Sequence, residues 1–574
     1  MPVGRFLLCL HSHMPYVLSH GKSPHGTDWL FESAAECYLP ILDALERLRN
    51  EGIRPRWTIN MTPILAEQLA DPAFAAGFEE YCEEKIQAAI QDQERFALND
   101  ELQMVGLAAW WQRFYTRAMV QFKHRWGRDL NAGFKSFQDD GLIELITCGA
   151  THGYFPLLGT DESIQAQVKT AVDSHKRRYG KAPRGFWLPE CAYRPGYDWA
   201  RPTSEGETPW PRKSVQEFLL ENGVEYFFVD SHLIRGGEPL GTYWQSFPHL
   251  AEMFQRSRNL FTPPADARSE YEHYLIPGGA TVFARDPQTT VRVWSGDVGY
   301  PGNEWYLEFH KQLYPGRLRY WRISQNKADL GAKQPYDPWA AFDNIAAHAK
   351  DFVGLVKSTL ATYRGQSGRE GTVVAMYDTE LFGHWWFEGP EFLYECAKQM
   401  ALDGDIEMVS GGDVLDREPA RHLIHLPEGS WGEGGYHSVW LNPDNHWTWE
   451  RLYPLETRFR DLCRTHATGP AQEILEQAAR ELLLAESSDW QFLISTFSAR
   501  DYSEIRFADH TDRLERLLAL AEAVADGHTM TEEETEFLRD CQQKDAPFPH
   551  LKLSDWAQLD HPLNVGTPGG VPLH

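Results

Sequence analysis

The stretch GFWLPECAYRP, Gly185 to Pro195, runs from an apolar strand pattern directly into an acidic residue, Glu190, set among Trp187, Pro189 and Tyr193. A carboxylate that ends a strand and is pressed by aromatic side chains sits where burial and neighbours displace its pKa. A second stretch, VVAMYDTELFGHWWFEG from Val373 to Gly389, repeats the arrangement with Asp378 among Tyr377, Phe382, Trp385 and Trp386. Working outward, Arg5 to Leu10 is an apolar run that leads into His11 and His13. Ile143 to Thr147 is followed by His152, and Glu225 to Val229 by Asp230 and His232. Five predicted strands thus carry polar groups at their carboxyl ends, which is where parallel α/β folds and barrels build their sites.

Between these strands lie amphipathic helical patterns, at Glu32 to Gly52, Glu162 to Tyr179 and Ala341 to Arg364, so the rhythm is that of a parallel α/β domain. The chain divides on this reading into a first barrel part (1–190), a small inserted domain (191–229) and a second barrel part (230–410). A helical C-terminal domain (411–544) and a poorly ordered tail (545–574) follow. The insertion is read from the Pro-, Gly- and Trp-rich run Arg194 to Arg212. Residues 236–276 form a long, weakly patterned segment expected to act as a flexible loop, with Tyr243, Trp244 and Phe247 on it. The tail is assigned from the repeated Pro and Gly after Asp545.

Composition excludes several classes. With 55 basic and 82 acidic residues the formal charge is −27, which repels polyanions and gives no counterion-release drive toward nucleic acid. The first apolar run spans only Phe6 to Leu10, so neither a membrane span nor a leader is expected, and the cytoplasm is the expected location. Eight scattered cysteines lack any Cys-x-x-Cys spacing and read as free, buried thiols. Phosphate-loop and serine-hydrolase motifs are missing too. The 21 Trp, 23 Tyr and 30 Phe offer flat faces suited to sugar rings, and a neutral polysaccharide is the partner this composition favours.

Two acids at strand ends point to a nucleophile and acid pair of the glycosidase kind. The rival is a metal-dependent polysaccharide deacetylase, with His11 and His13 on one strand face and His152, Asp230 or His232 completing a ligand set. No tight metal spacing supports it, and histidines also donate hydrogen bonds to sugar hydroxyls. No cofactor and no metal are expected.

The segments HSHMPY, ATHGY, GFWLPE, YDTELFGHWW and SSDW, in this order, resemble the five signature regions of glycoside hydrolase family 57. GGEPLGTYW, VRVWSGDVGYPG and GSWGEGGYHSVWLNPDN are similar to segments of its 1,4-α-glucan branching members, and the resemblance runs from Val3 to about Leu520. It implies an incomplete, seven-stranded (β/α) barrel with a small inserted domain and an α-helical C-terminal domain. It also implies that Glu190 is the nucleophile and Asp378 the general acid/base of a retaining transfer that makes α-1,6 branches from α-1,4 chains. His11, His13, His152, Trp187 and Asp489 would line the donor subsite, and Arg285 joins the substrate-binding set. Trp294, Trp431 and Trp440 would be platforms for the glucan, and Tyr243 would favour branching over hydrolysis. An α-amylase or 4-α-glucanotransferase of the same family is the alternative.

Overall fold

The structure, a computed structural model, describes residues 2–240, 260–325 and 328–560 of the 574-residue chain. The strand β1 (Gly4–Ser12) is buried at all nine positions, as a parallel strand covered on both faces must be, which is why RFLLCL is a continuous apolar run. It pairs in parallel with β2 (Trp57–Met61), which continues to β3 (Ile143–Ile146). On its other edge β1 pairs in parallel with β10 (Thr372–Asp378). A further strand, β11 (Ile406–Met408), pairs with the first residues of β1, where β2 does not reach.

A second sheet has the order β4 (Gly185–Phe186), β7 (Tyr226–Val229), β9 (Thr281–Ala284), β8 (Tyr274–Leu275), with only β8 antiparallel. The two sheets meet at both ends. Thr147 and Phe186 form a parallel bridge, and the Asp286 amide donates to the Val374 carbonyl at 2.8 Å. Seven parallel strands, β10-β1-β2-β3-β4-β7-β9, therefore ring one core in a (β/α) barrel whose strand ends face one side.

Several expectations need correction. β7 lies between β4 and β9 in the barrel sheet, so the insertion does not extend to residue 229. The excursion is instead the antiparallel hairpin β5 (Tyr197–Trp199) and β6 (Trp210–Arg212), and the chain returns to a barrel helix at Val215–Glu221. The expected helix from Glu32 begins earlier, at Thr27, and contains a π-type turn over Ala34–Tyr38 before ending at Asn50. The tail was expected to lose order from Asp545, yet Asp545, Phe548 and Trp556 are buried. Trp556 packs edge-on against Phe459, and Gln165 donates to the Asp555 carbonyl at 2.7 Å. One short helix, Ser554–Ala557, forms there, and a handful of apolar anchors hold the segment.

The C-terminal half is helical, with His446–His466, Gln472–Ala485, Asp489–Thr496, Arg500–Ala525 and Glu532–Lys544. It docks at the open face of the barrel: Gly153 bridges Ser487, and the Ser488 amide donates to the His152 carbonyl at 3.0 Å. All eight cysteines are buried free thiols. No helix among the described residues is long and apolar enough to cross a membrane.

Candidate active site

The register of the barrel brings the two sequence-predicted acids to one edge. His11 of β1 lies directly beside Asp378, the last residue of β10. Glu190 follows β4 and is held with φ 60, and Cys191 (φ 48) and His152 (φ 62) share this left-handed region. Such conformations cost about 1–3 kcal/mol each in non-glycine residues and gather at functional sites. The loop after Asp378 adds a genuine glycine requirement. Gly383 has φ 115, and a Cβ there would lie 1.8 Å from the Glu36 carbonyl oxygen.

A chain of neutral imidazoles runs from the barrel to Ser488, beside Glu190. The Asn60 amide donates to the Ile146 carbonyl at 3.3 Å, which orients its oxygen to accept from His11 Nδ1 at 2.6 Å. His11 Nε2 is then bare and accepts from His152 Nε2 at 3.0 Å, so His152 Nδ1 accepts from the Ser488 hydroxyl at 2.7 Å. Burial depresses the pKa of both histidines well below the usual value, and neighbouring imidazoles add to the effect. Ser488 also lies 3.4 Å from Glu190 Oε1, but its proton goes to the nearer imidazole. Trp431, from the segment beyond the barrel, donates its indole N–H to Glu190 Oε2 at 2.8 Å and its amide to the Glu190 carbonyl at 3.1 Å.

Electrostatics then separate the acids. Burial pushes Glu190 up to about 8; the Trp431 bond opposes this, and Asp378 and Asp489 reinforce it. Asp378 rises well above the carboxylate range, first by burial and then by Glu380, with Arg285 opposing. The Glu380 carboxylate accepts from Tyr38 at 2.6 Å and from the His13 amide at 3.1 Å, and burial raises it to about 7. The indole N–H on Glu190 Oε2 favours the ionised form of that carboxyl, while Glu380 beside Asp378 favours the neutral form of Asp378.

The remaining predicted residues are placed as follows. His13 Nε2 pairs with Asp489 at 2.8 Å, and Ser487 donates to the same carboxylate at 2.5 Å. Trp294 meets Trp431 edge-on at 6.1 Å, and the Arg285 guanidinium lies 5.3 Å over Trp431 while pairing with buried Asp230. Two expectations are corrected. Trp187 is fully buried and stacks on His11 at 4.6 Å, so it backs the histidine rather than lining the subsite. Trp440 is 1% exposed with Tyr154 stacked on it at 4.5 Å, which leaves no free face for a sugar. Trp431 is likewise buried and works here through its N–H. Tyr243, with Trp244 and Phe247, lies outside the described residues.

Asn60, Glu380 and Ser488 escaped the sequence reading. Their only signals were neighbourhood: Ser488 adjoins Asp489, and Glu380 stands two residues after Asp378. A metal set completed by Asp230 or His232 does not form, because Arg285 holds Asp230 and His232 hydrogen-bonds the Gly435 carbonyl. Among the described residues, ligand atoms of His13, His152 and Asp489 do lie within 4.8 Å of one another. They are occupied in the imidazole and carboxylate bonds just given.

A barrel with two partly exposed, largely desolvated acids at its strand ends points to a carbohydrate-active enzyme class, and comparison agrees. Residues 7–427 match the family described as Glycosyl hydrolase family 57, so the chain belongs to that family. Residues 451–556 match the domain described as 1,4-alpha-glucan branching enzyme, C-terminal. A 1,4-alpha-glucan branching enzyme of Thermococcus kodakarensis is 37% identical over 567 residues, 97% of this chain and 79% of that one. Its crystal structure superposes with a TM-score of 0.87 at 36% identity, covering 98% of both chains. The family 57 branching enzyme of Pyrococcus horikoshii gives 0.87 at 37% identity, covering 99% of this chain and 98% of that one. The α-amylase AmyC of Thermotoga maritima gives 0.79 at 28% identity, covering 98% and 100%.

Proposed function

We infer that this protein is a 1,4-α-glucan branching enzyme working by retaining double displacement, with α-glucan as its substrate. The observation that carries the reading is that the C-terminal half completes the site. Trp431 and Ser488 reach Glu190 from beyond the barrel strands, and the segment that follows Trp431 matches a branching-enzyme domain.

In the first half-reaction Glu190 attacks the anomeric carbon as the C1–O4 bond breaks, and Asp378 gives its proton to the departing O4. In the second, the Asp378 carboxylate takes the proton from an acceptor 6-hydroxyl. O6 then bonds to C1, and the ester to Glu190 breaks. The raised pKa of Asp378 keeps its proton in place for the first step, whereas burial works against the ionised form that Glu190 needs and the indole N–H of Trp431 offsets that penalty.

Incubation with amylose tests the reading. Branching lowers iodine colour with few new reducing ends until a debranching enzyme releases them. Reducing ends that rise in step with colour loss would identify a hydrolase instead. A pH profile tests the indole bond. Trp431→Phe removes the donor that favours ionised Glu190, worth about 1.5–3 kcal/mol for a bond to a charged group. The Glu190 pKa then rises, so the acidic limb of kcat/KM moves up by about one to two pH units. A limb that stays in place would remove Trp431 from this role.

A further inference from the structure

A cavity of about 310 Å³ lies apart from the acids, between the helix Leu39–Asn50, the helix Leu102–Val120 and the chain around Phe387. That volume is at the low end of small-molecule sites, about 300–1,000 Å³, and suits one or two sugar rings rather than a peptide helix. Its wall is aromatic. Trp110 stacks on Phe114 at 5.9 Å, and Phe387 meets these rings edge-on or tilted at 5.5 and 5.4 Å.

The polar groups decide what fits. Arg47 grips Glu391 through two bonds, 2.5 and 2.9 Å, and Arg117 donates to Asp43 at 2.7 Å, so these rim charges cancel. At the floor Glu388 is 4% exposed. One of its oxygens accepts from Tyr336 at 2.7 Å and from the Leu307 amide at 3.0 Å. The other, Oε2, is buried with no hydrogen-bond partner. A buried acceptor in this state is costly and is satisfied by a ligand donor. Burial raises the Glu388 carboxyl to about 7, so its charge is largely removed below neutral pH. Arg113 and Phe342 stand exposed at the mouth.

We propose that this cavity is a second carbohydrate site, in which a glucosyl unit of an α-glucan stacks on Trp110 and Phe114 and donates a hydroxyl to Glu388 Oε2. The choice of sugar rests on the reading of the cleft as an α-glucan site. Arg47 and Arg117 are taken up by carboxylates and so are not free to grip a phosphate, and a buried carboxyl with an unpartnered oxygen disfavours a purely apolar ligand. A second grip on the polymer raises the effective concentration of chain at the cleft.

Full-length protein carrying Glu190→Gln, which stops turnover, is titrated with maltohexaose by calorimetry. Two classes of site are expected. Trp110→Ala on that background removes one class, and the surface pair Arg113→Ala/Phe342→Ala weakens the same class about tenfold without touching the core. In otherwise wild-type protein, the surface pair raises KM for amylose and leaves turnover of maltoheptaose unchanged. One class of site at the outset, or two classes indifferent to every cavity variant, would overturn the proposal while leaving the cleft assignment intact. Absence of any maltohexaose binding would instead sink the α-glucan reading itself.

Discussion

Glu190→Gln should abolish glucan transfer, with kcat falling on the order of 10⁴-fold or more, as expected when the covalent nucleophile of a double displacement is removed. Gln keeps the shape and can still accept the Trp431 N–H at the position of Oε2, so the loss reports chemistry rather than a collapsed site. Azide sharpens the test. With Glu190→Ala, azide attacks from the vacated side and gives a β-glucosyl azide, a single inversion. Glu190→Gln should also gain stability at alkaline pH. The folded-state pKa of about 8 lies above the ordinary value of 4.5, so the folded protein binds the extra proton between those values. The contribution of Glu190 to stability is therefore full below pH 4.5 and is lost as pH rises toward 8. Glu190→Gln should melt higher than wild type at pH 8, and at pH 4 the two should coincide. Equal melting at both pH values would mean that Glu190 is not held against ionisation.

Asp378→Ala should lower kcat on amylose by about 10²–10⁴-fold, the span of general acid–base catalysis. A maltosyl fluoride donor needs no proton on its leaving group, so the first half-reaction recovers with it while the second stays slow. Glycosyl-enzyme then accumulates on Glu190 and is detectable as a mass increase on the peptide containing Trp187 to Tyr193. Azide rescues this variant with retention, giving an α-glucosyl azide, the opposite anomer from the Glu190→Ala product. Identical anomers from the two variants would exclude the division of labour assigned here. The raised pKa of Asp378 sets the alkaline side: activity is lost as pH rises through it, because the neutral form must meet the substrate.

Strand identity was legible because barrel strands are buried on both faces and so are written as unbroken apolar runs. All nine β1 residues are buried, and the polar residues that interrupt such runs fall at the catalytic edge. Asp378 and His11 could thus be placed at one edge of the sheet before any pairing was known. Boundaries were less legible. The end of the insertion was misplaced because a four-residue strand, Tyr226–Val229, has too little pattern to announce which sheet it joins. The order of residues 545–560 was missed because it rests on a few anchors, chiefly Phe548 and Trp556, set in a sequence without a helical or strand period.

Tryptophan was the residue type most easily misread. Trp187, Trp431 and Trp440 carry the same side chain, and a sequence cannot say which of its surfaces is used. The fold spends Trp187 as backing for His11, Trp440 as a partner of Tyr154, and Trp431 as an N–H donor to Glu190.

By itself the sequence determined the parallel α/β core and singled out the two acids through apolar runs and strand-end polarity, and its short contiguous motifs carried the family resemblance that implied the barrel. Tertiary structure alone decided how those acids differ. Their pKa values depend on burial and on groups remote in the chain, Trp431 being 241 residues from Glu190. The relay from Asn60 through His11 and His152 to Ser488 likewise joins barrel strands to a C-terminal helix start. Desolvation and hydrogen bonding act through space, so no local pattern along the chain encodes them.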